Sequence, residues 1–100
     1  MLVHLPIVIL TSMYPIPIAD AVPKFNISRE CQSEGGTKDT QDKCAKDETQ
    51  ARDQLQKEWT QFTASDKTQC YGETNADGSP SYVELLTCLQ MARDVKKSSR

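Results

Sequence analysis

Apolar positions recur at helical spacing in two stretches of this chain, and most positions between them are polar. From 79 to 93, Tyr82, Leu85, Leu86, Leu89 and Ala92 fall on one side of a 3.6-residue repeat, with Cys88 mid-segment, which predicts a helix with one buried face. Ser79 and Pro80 suit its N-cap and first helical positions, while Ser81 with Glu84 offers a capping box two residues later. Upstream, Thr37 or Thr40 opens a long helix that runs to Phe62, with Cys44, Ala51, Leu55, Trp59 and Phe62 on one stripe. Glu48 with Arg52, and Asp53 with Lys57, read as four-residue charge pairs on its flanks. This helix is mostly wet, so a narrow seam does its packing.

Two shorter helices flank the pair. Asn26 or Ser28 caps the first, through Arg29, Cys31 and Gln32, before Gly35-Gly36 stops it; the segment 22–27 reads as a lead-in, with Pro23 discouraging regular structure. Thr63 with Asp66 makes another capping box and predicts a helix over 64–71 that ends at Gly72, with Cys70 on its last turn. The polar run 73–79 connects it to the last helix. The expected fold is all-α: a small disulfide-stapled helical hairpin with two additional short helices. Leu55, Trp59 and Phe62 of the long helix meet Tyr82, Leu85, Leu86 and Leu89 of the last one in its core.

The first twenty or so residues change the picture of where the chain works. Residues 2–18 are mostly apolar and uncharged apart from His4, and Ala19-Asp20-Ala21 places small residues where a signal peptidase reads them. This predicts a signal peptide over 1–21, a four-cysteine domain over 22–96 and a flexible basic tail over 97–100. No Lys or Arg precedes the apolar run, and Pro6, Pro15 and Pro17 interrupt it; the competing reading is an uncleaved anchor. A periplasmic or secreted protein without membrane attachment after cleavage is the expectation.

Without Asp20 and the rest of the leader, 13 acidic groups stand against 12 basic ones. Only Lys96, Lys97 and Arg100 cluster, so nucleic acid is not an expected partner. Four cysteines in a short exported chain read as two structural disulfides. Three pairings are open. Cys31 with Cys44 and Cys70 with Cys88 is favoured, because each bridge then ties a short helix to the adjacent long one, and an interleaved pairing stays open.

No two cysteines lie within twelve residues, which argues against thiolate-held zinc, and no pair sits on one turn as an exchange catalyst requires. With His4 in the leader no imidazole base remains, so an enzyme is not expected. No cofactor is expected either. The sharpest motif is the loop 73–84. Glu73, Asn75, Asp77, Ser79, Ser81 and Glu84 stand at places one, three, five, seven, nine and twelve of a calcium-loop pattern, with Gly78 at six. Glu at place one and Pro80 at place eight depart from it. A calcium-binding module and a thiol-disulfide redox protein are therefore the alternatives to a non-enzymatic interaction protein, for which exposure of Tyr71 or Met91 would offer a partner or self-association patch.

Arg52, Leu55, Trp59, Phe62, Cys70 and the run 79–94, SPSYVELLTCLQMARD, together resemble an uncharacterised family of small exported four-cysteine helical proteins from alphaproteobacteria, soil and plant-associated species especially. The resemblance covers about 60 residues, 31 to 96. It implies that all four cysteines belong to the family pattern and that the protein is an exported helical one; it carries no activity and no catalytic residue. It also implies that the acidic residues of the 73–84 loop are not a fixed feature.

Overall fold

A computed structural model describes residues 21–98 of the chain. The expected signal peptide, Ala21 apart, and the last two residues of the expected tail lie outside the described residues. Four helices and one 3₁₀ turn follow in order: α1 (Ile27–Glu34), α2 (Lys38–Glu58), the turn Trp59–Gln61, α3 (Ala64–Thr74) and α4 (Tyr82–Ser98). There is no strand among the described residues. The fold is the expected all-α one, and α4 is its centre: it packs on α2 along one side and on α3 along another, while α1 rests on α2.

Each start has a side-chain oxygen on an orphan backbone N–H. Asn26 Oδ1 accepts from Arg29 N at 3.0 Å, Thr37 Oγ1 from Thr40 N at 3.2 Å, and Thr63 Oγ1 from Asp66 N at 3.1 Å. For α4 the register is settled in favour of Ser81, whose Oγ accepts from Glu84 N at 3.2 Å. Ser79 and Pro80 stay in the loop. Gly35, at φ 77°, ends α1 with its N–H on the Gln32 carbonyl at 3.0 Å, a backbone conformation that a Cβ would strain.

The structure differs from the sequence reading at three helix ends. The long helix stops at Glu58 and tightens into a 3₁₀ turn, after which Phe62 is extended; Trp59 and Phe62 are both buried across this change. Gly72 does not end α3, which continues to Thr74. A glycine inside a helix costs about 1 kcal/mol relative to alanine, and here the last turn is anchored by Thr74. Its buried hydroxyl accepts from Ser81 N at 3.0 Å and donates to Glu84 Oε1 at 2.9 Å. Finally, α4 runs on to Ser98, so Lys97 and Ser98 are helical rather than part of a tail.

Ala51, Leu55, Trp59, Phe62, Cys70, Tyr82, Leu85 and Leu89 form the core, with Leu86 partly buried against it. All seven expected core side chains are therefore in or against it. Val22, Phe25 and Ile27 join them, so the lead-in is a strap across the core. Tyr82 holds that strap: its ring centroid lies 4.7 Å from that of Phe25, and its hydroxyl donates to the Pro23 carbonyl at 2.9 Å while accepting from Phe25 N at 2.8 Å. Tyr82→Phe keeps the ring and leaves both backbone groups without their partner, which is expected to cost about 1 to 2 kcal/mol. Faster tryptic cleavage after Lys24 in the variant is the check; an unchanged rate would mean that ring packing alone holds the strap.

The favoured disulfide pairing is the one present. Cys31 is bonded to Cys44, joining α1 to α2, and Cys70 to Cys88, joining α3 to α4. No helix among the described residues is long and apolar enough to cross a membrane.

Candidate functional site

Polar side chains gather at the N-terminal end of α4, and one carboxylate organises them. Glu48, only 3 % exposed, reaches from α2 to the first turn of α4, where Oε1 accepts from Tyr82 N at 2.6 Å and Oε2 from the Ser81 hydroxyl at 2.6 Å. Val83 N lies 3.4 Å from the same Oε2. A carboxylate set on the free N–H groups of a helix start is favoured by the hydrogen bonds and by the helix dipole together. In a capping box confined to its own helix, Glu84 would return to Ser81 N. Here Thr74 takes that N–H, and Glu84 bonds to Thr74 instead. Glu48 is thus not half of a flank pair; Arg52 lies 3.4 Å from Asp53.

Glu30 of α1 lies behind this cap. It is 7 % exposed, and its Oε1 has no hydrogen-bond partner. Burial first, then the neighbouring carboxyl of Glu34, then the charges of Glu48 and Glu84 push its pKa up from 4.5 to about 7. Glu34 can share a hydrogen bond with it only when one of the two carries a proton. On its outer side Glu30 borders a cleft of about 200 Å³ shared with Asn26, Tyr71 and Ser79 and rimmed by the exposed Lys24 and Arg29.

The far end of α4 is clamped by the opposite charges. Arg93 Nη1 donates to Glu58 Oε1 at 2.9 Å and to Gln61 Oε1 at 3.1 Å, and its guanidinium lies 5.0 Å from the Phe62 ring centroid. Lys96 Nζ reaches the buried Asp66 at 2.9 Å. Hydrogen bonds from Gln54 first, and from Arg93 and Gln90 after it, hold the Glu58 carboxyl below its usual range. The two perturbed acids respond to pH in opposite senses. A lowered Glu58 stabilises the fold above its unfolded value and loses that contribution as pH falls through the acid range. A raised Glu30 does so below 4.5 and loses it as pH rises to about 7.

The six residues of the calcium pattern are spread over these arrangements. Glu73 is in the last turn of α3, where Gln69 Nε2 donates to its Oε2 at 3.3 Å; Oε1 lies 3.5 Å from Cys88 Sγ, which as part of a disulfide has no proton to give. Asn75 caps α3, and Asp77 Oδ1 accepts from Ser79 N at 3.0 Å. Ser81 and Glu84 are used by Glu48 and Thr74. Among the described residues no group of three or more His, Cys, Asp or Glu is placed to hold a metal ion. For the redox alternative, each bridge has one buried cysteine, Cys31 or Cys70, and a half-buried one, Cys44 or Cys88.

Among the described residues, the exposed large apolar side chains are all on α4. Val83, Met91 and Val95 are 40 %, 62 % and 65 % exposed, and with Thr87 they recur every four residues. Val83, Thr87, Met91 and the half-buried Cys88 line a groove of about 430 Å³ with Glu73 and Glu84 at its edge. Tyr71, the other aromatic considered for such a patch, is half-buried against Phe25, 6.1 Å between ring centroids.

Glu48 had a signal in the sequence. Counting 44, 48, 51, 55, 59 and 62 along the long helix, it fills the one gap in the apolar stripe. Glu30 likewise falls three residues after Ile27 and one before Cys31, on the inward face of α1. Comparison with protein-family models, curated proteins and solved structures gives no match to this chain.

Proposed function

We propose that this chain is a small exported, non-enzymatic envelope or interaction protein, of the alphaproteobacterial four-cysteine helical kind that its sequence resembles, and that it acts in a periplasmic or secreted setting. The observation that carries the reading is the uncovered ridge of Val83, Thr87, Met91 and Val95 on α4. A helix of this fold already buries one face on α2 and α3, so a second apolar ridge adds nothing to the core. Exposed apolar side chains in a row favour contact with another macromolecule. Two disulfides are compatible with an oxidising compartment.

A photocrosslinking residue at position 91, introduced in the native host, is expected to give a discrete protein adduct. The same residue at position 42, on the exposed side of α2, should give none. An adduct of twice the chain mass would identify self-association, and a heavier or lighter one a different partner. Equal, diffuse labelling from both positions would end the interaction reading.

A further inference from the structure

We propose that Glu30 is a protonation latch for α1: the helix docks on α2 while the Glu30 carboxyl is neutral and loosens when it ionises. The geometry makes the neutral form the one that fits. The side chain is almost wholly buried and Oε1 has no donor against it. A buried carboxylate without a donor is strongly disfavoured, whereas the protonated group can give its hydrogen to a neighbour. The charged neighbours from three helices are acids: Glu34 of α1 itself, Glu48 of α2 and Glu84 of α4. Glu48 cannot turn to help, since its oxygens are committed to the start of α4. The nearby cations, Lys24 and Arg29, are exposed at the rim of the outer cleft, and α3 presents Tyr71 there.

The rest of α1 is built so that this one group can decide its position. Among the helices its backbone approaches α2 alone, and none of the ion pairs among the described residues involves it. Its fixed points are the Cys31–Cys44 bridge, Ile27 at its first position, which packs against the core, and the strap that Tyr82 holds before it. Ionisation therefore releases a tethered helix rather than unfolding the domain, and opens the cleft that Asn26, Glu30 and Tyr71 border. The carboxyl, raised from 4.5 to about 7, places the change in the range where compartments differ.

The test is amide hydrogen exchange on the full oxidised chain, corrected for intrinsic rates, from pH 4.5 to 8. The hydrogen-bonded amides of α1, residues 30–34, should lose protection by on the order of 100-fold across that range, since each pKa unit is a tenfold change in the docking equilibrium. Amides at the centres of α2 and α4 should not follow. Glu30→Gln should flatten the response, because its amide needs no proton to donate to the surrounding acids. Glu34→Gln should move the midpoint to lower pH, and carries the test if Glu30→Gln does not fold. A wild-type α1 whose protection is independent of pH, or a Glu30→Gln or Glu34→Gln chain that titrates as the wild type does, would overturn the proposal.

Discussion

Glu48→Ala is expected to destabilise the protein by about 3 kcal/mol, a fall in melting temperature of roughly 12 to 24 °C for a domain of this size. The change takes a charged acceptor from the Ser81 hydroxyl and from Tyr82 N, both buried, and from the longer contact at Val83 N. Hydrogen bonds to charged groups contribute about 1.5 to 3 kcal/mol each, and the ionised side chain also interacts with the α4 dipole. Against this, alanine spares the cost of burying a carboxylate, which is why the sum of the lost bonds overstates the effect. Glu48→Gln keeps one acceptor oxygen and the side-chain volume, and should cost about half as much. Ser81→Ala removes only the local cap and one partner of Glu48, about 1 kcal/mol. Thermal unfolding followed by circular dichroism orders the three variants. A Glu48→Ala protein that melts within about 1 kcal/mol of the wild type would mean that water replaces the carboxylate at little cost.

The same substitution reaches the latch. The Glu48 charge is one of those that raise Glu30, so neutralising it lowers the pH at which α1 loosens. Acids collect at the start of α4, and cations lie toward its end, with Arg93 on Glu58 and Lys96 on Asp66. Both arrangements follow the sign of the helix dipole. They differ in exposure: at the start the carboxylate is sealed in, whereas Lys96 keeps more than half of its side chain in water. An exposed lysine pair contributes little, so single changes should be felt at the α4 start and, at the far end, at the more buried Arg93–Glu58 pair rather than at Lys96.

What the sequence made legible is what depends on near neighbours. The caps at Asn26, Thr37 and Thr63 lie three residues from the N–H groups they accept from. The seven core side chains follow helical periods, and the favoured disulfides join consecutive helices. The roles of Glu48 and Thr74 do not have that character. Glu48 meets its partners 33 and 34 residues away: its place in the apolar stripe of α2 marks it as facing inward, but no local rule says which N–H groups it will meet there. Thr74 displaces Glu84 from the expected capping box only because α3 passes through Gly72, a position where local propensity says stop. The residues of the calcium pattern are divided between two helices and the loop for a related reason. The spacing is right for alternate oxygens in a loop, but Glu73 is still in one helix, accepting from Gln69 of that helix, and Glu84 is already in the next, bonded to Thr74 of α3.

The two disulfides are expected to have unequal effects although they close loops of similar length. With sequence separations of 13 and 18, loop-closure entropy alone assigns each about 3 kcal/mol. The folded state makes the difference. Cys70 is 2 % exposed and belongs to the core cluster, so Cys70→Ala with Cys88→Ala also loses packing between α3 and α4; the total should approach about 4 to 5 kcal/mol. Cys31 is equally buried but sits outside that cluster, against a helix that rests on α2 alone. Cys31→Ala with Cys44→Ala should therefore leave α2, α3 and α4 unfolding as one unit, at a cost near the loop term, while α1 exchanges its amides ahead of them. Denaturant unfolding of the two double variants, with hydrogen exchange resolved by helix, separates the contributions. Equal losses with uniform exchange in both would mean that the bridges act on the unfolded chain only, and that α1 is as firmly part of the cooperative fold as the helices around the core.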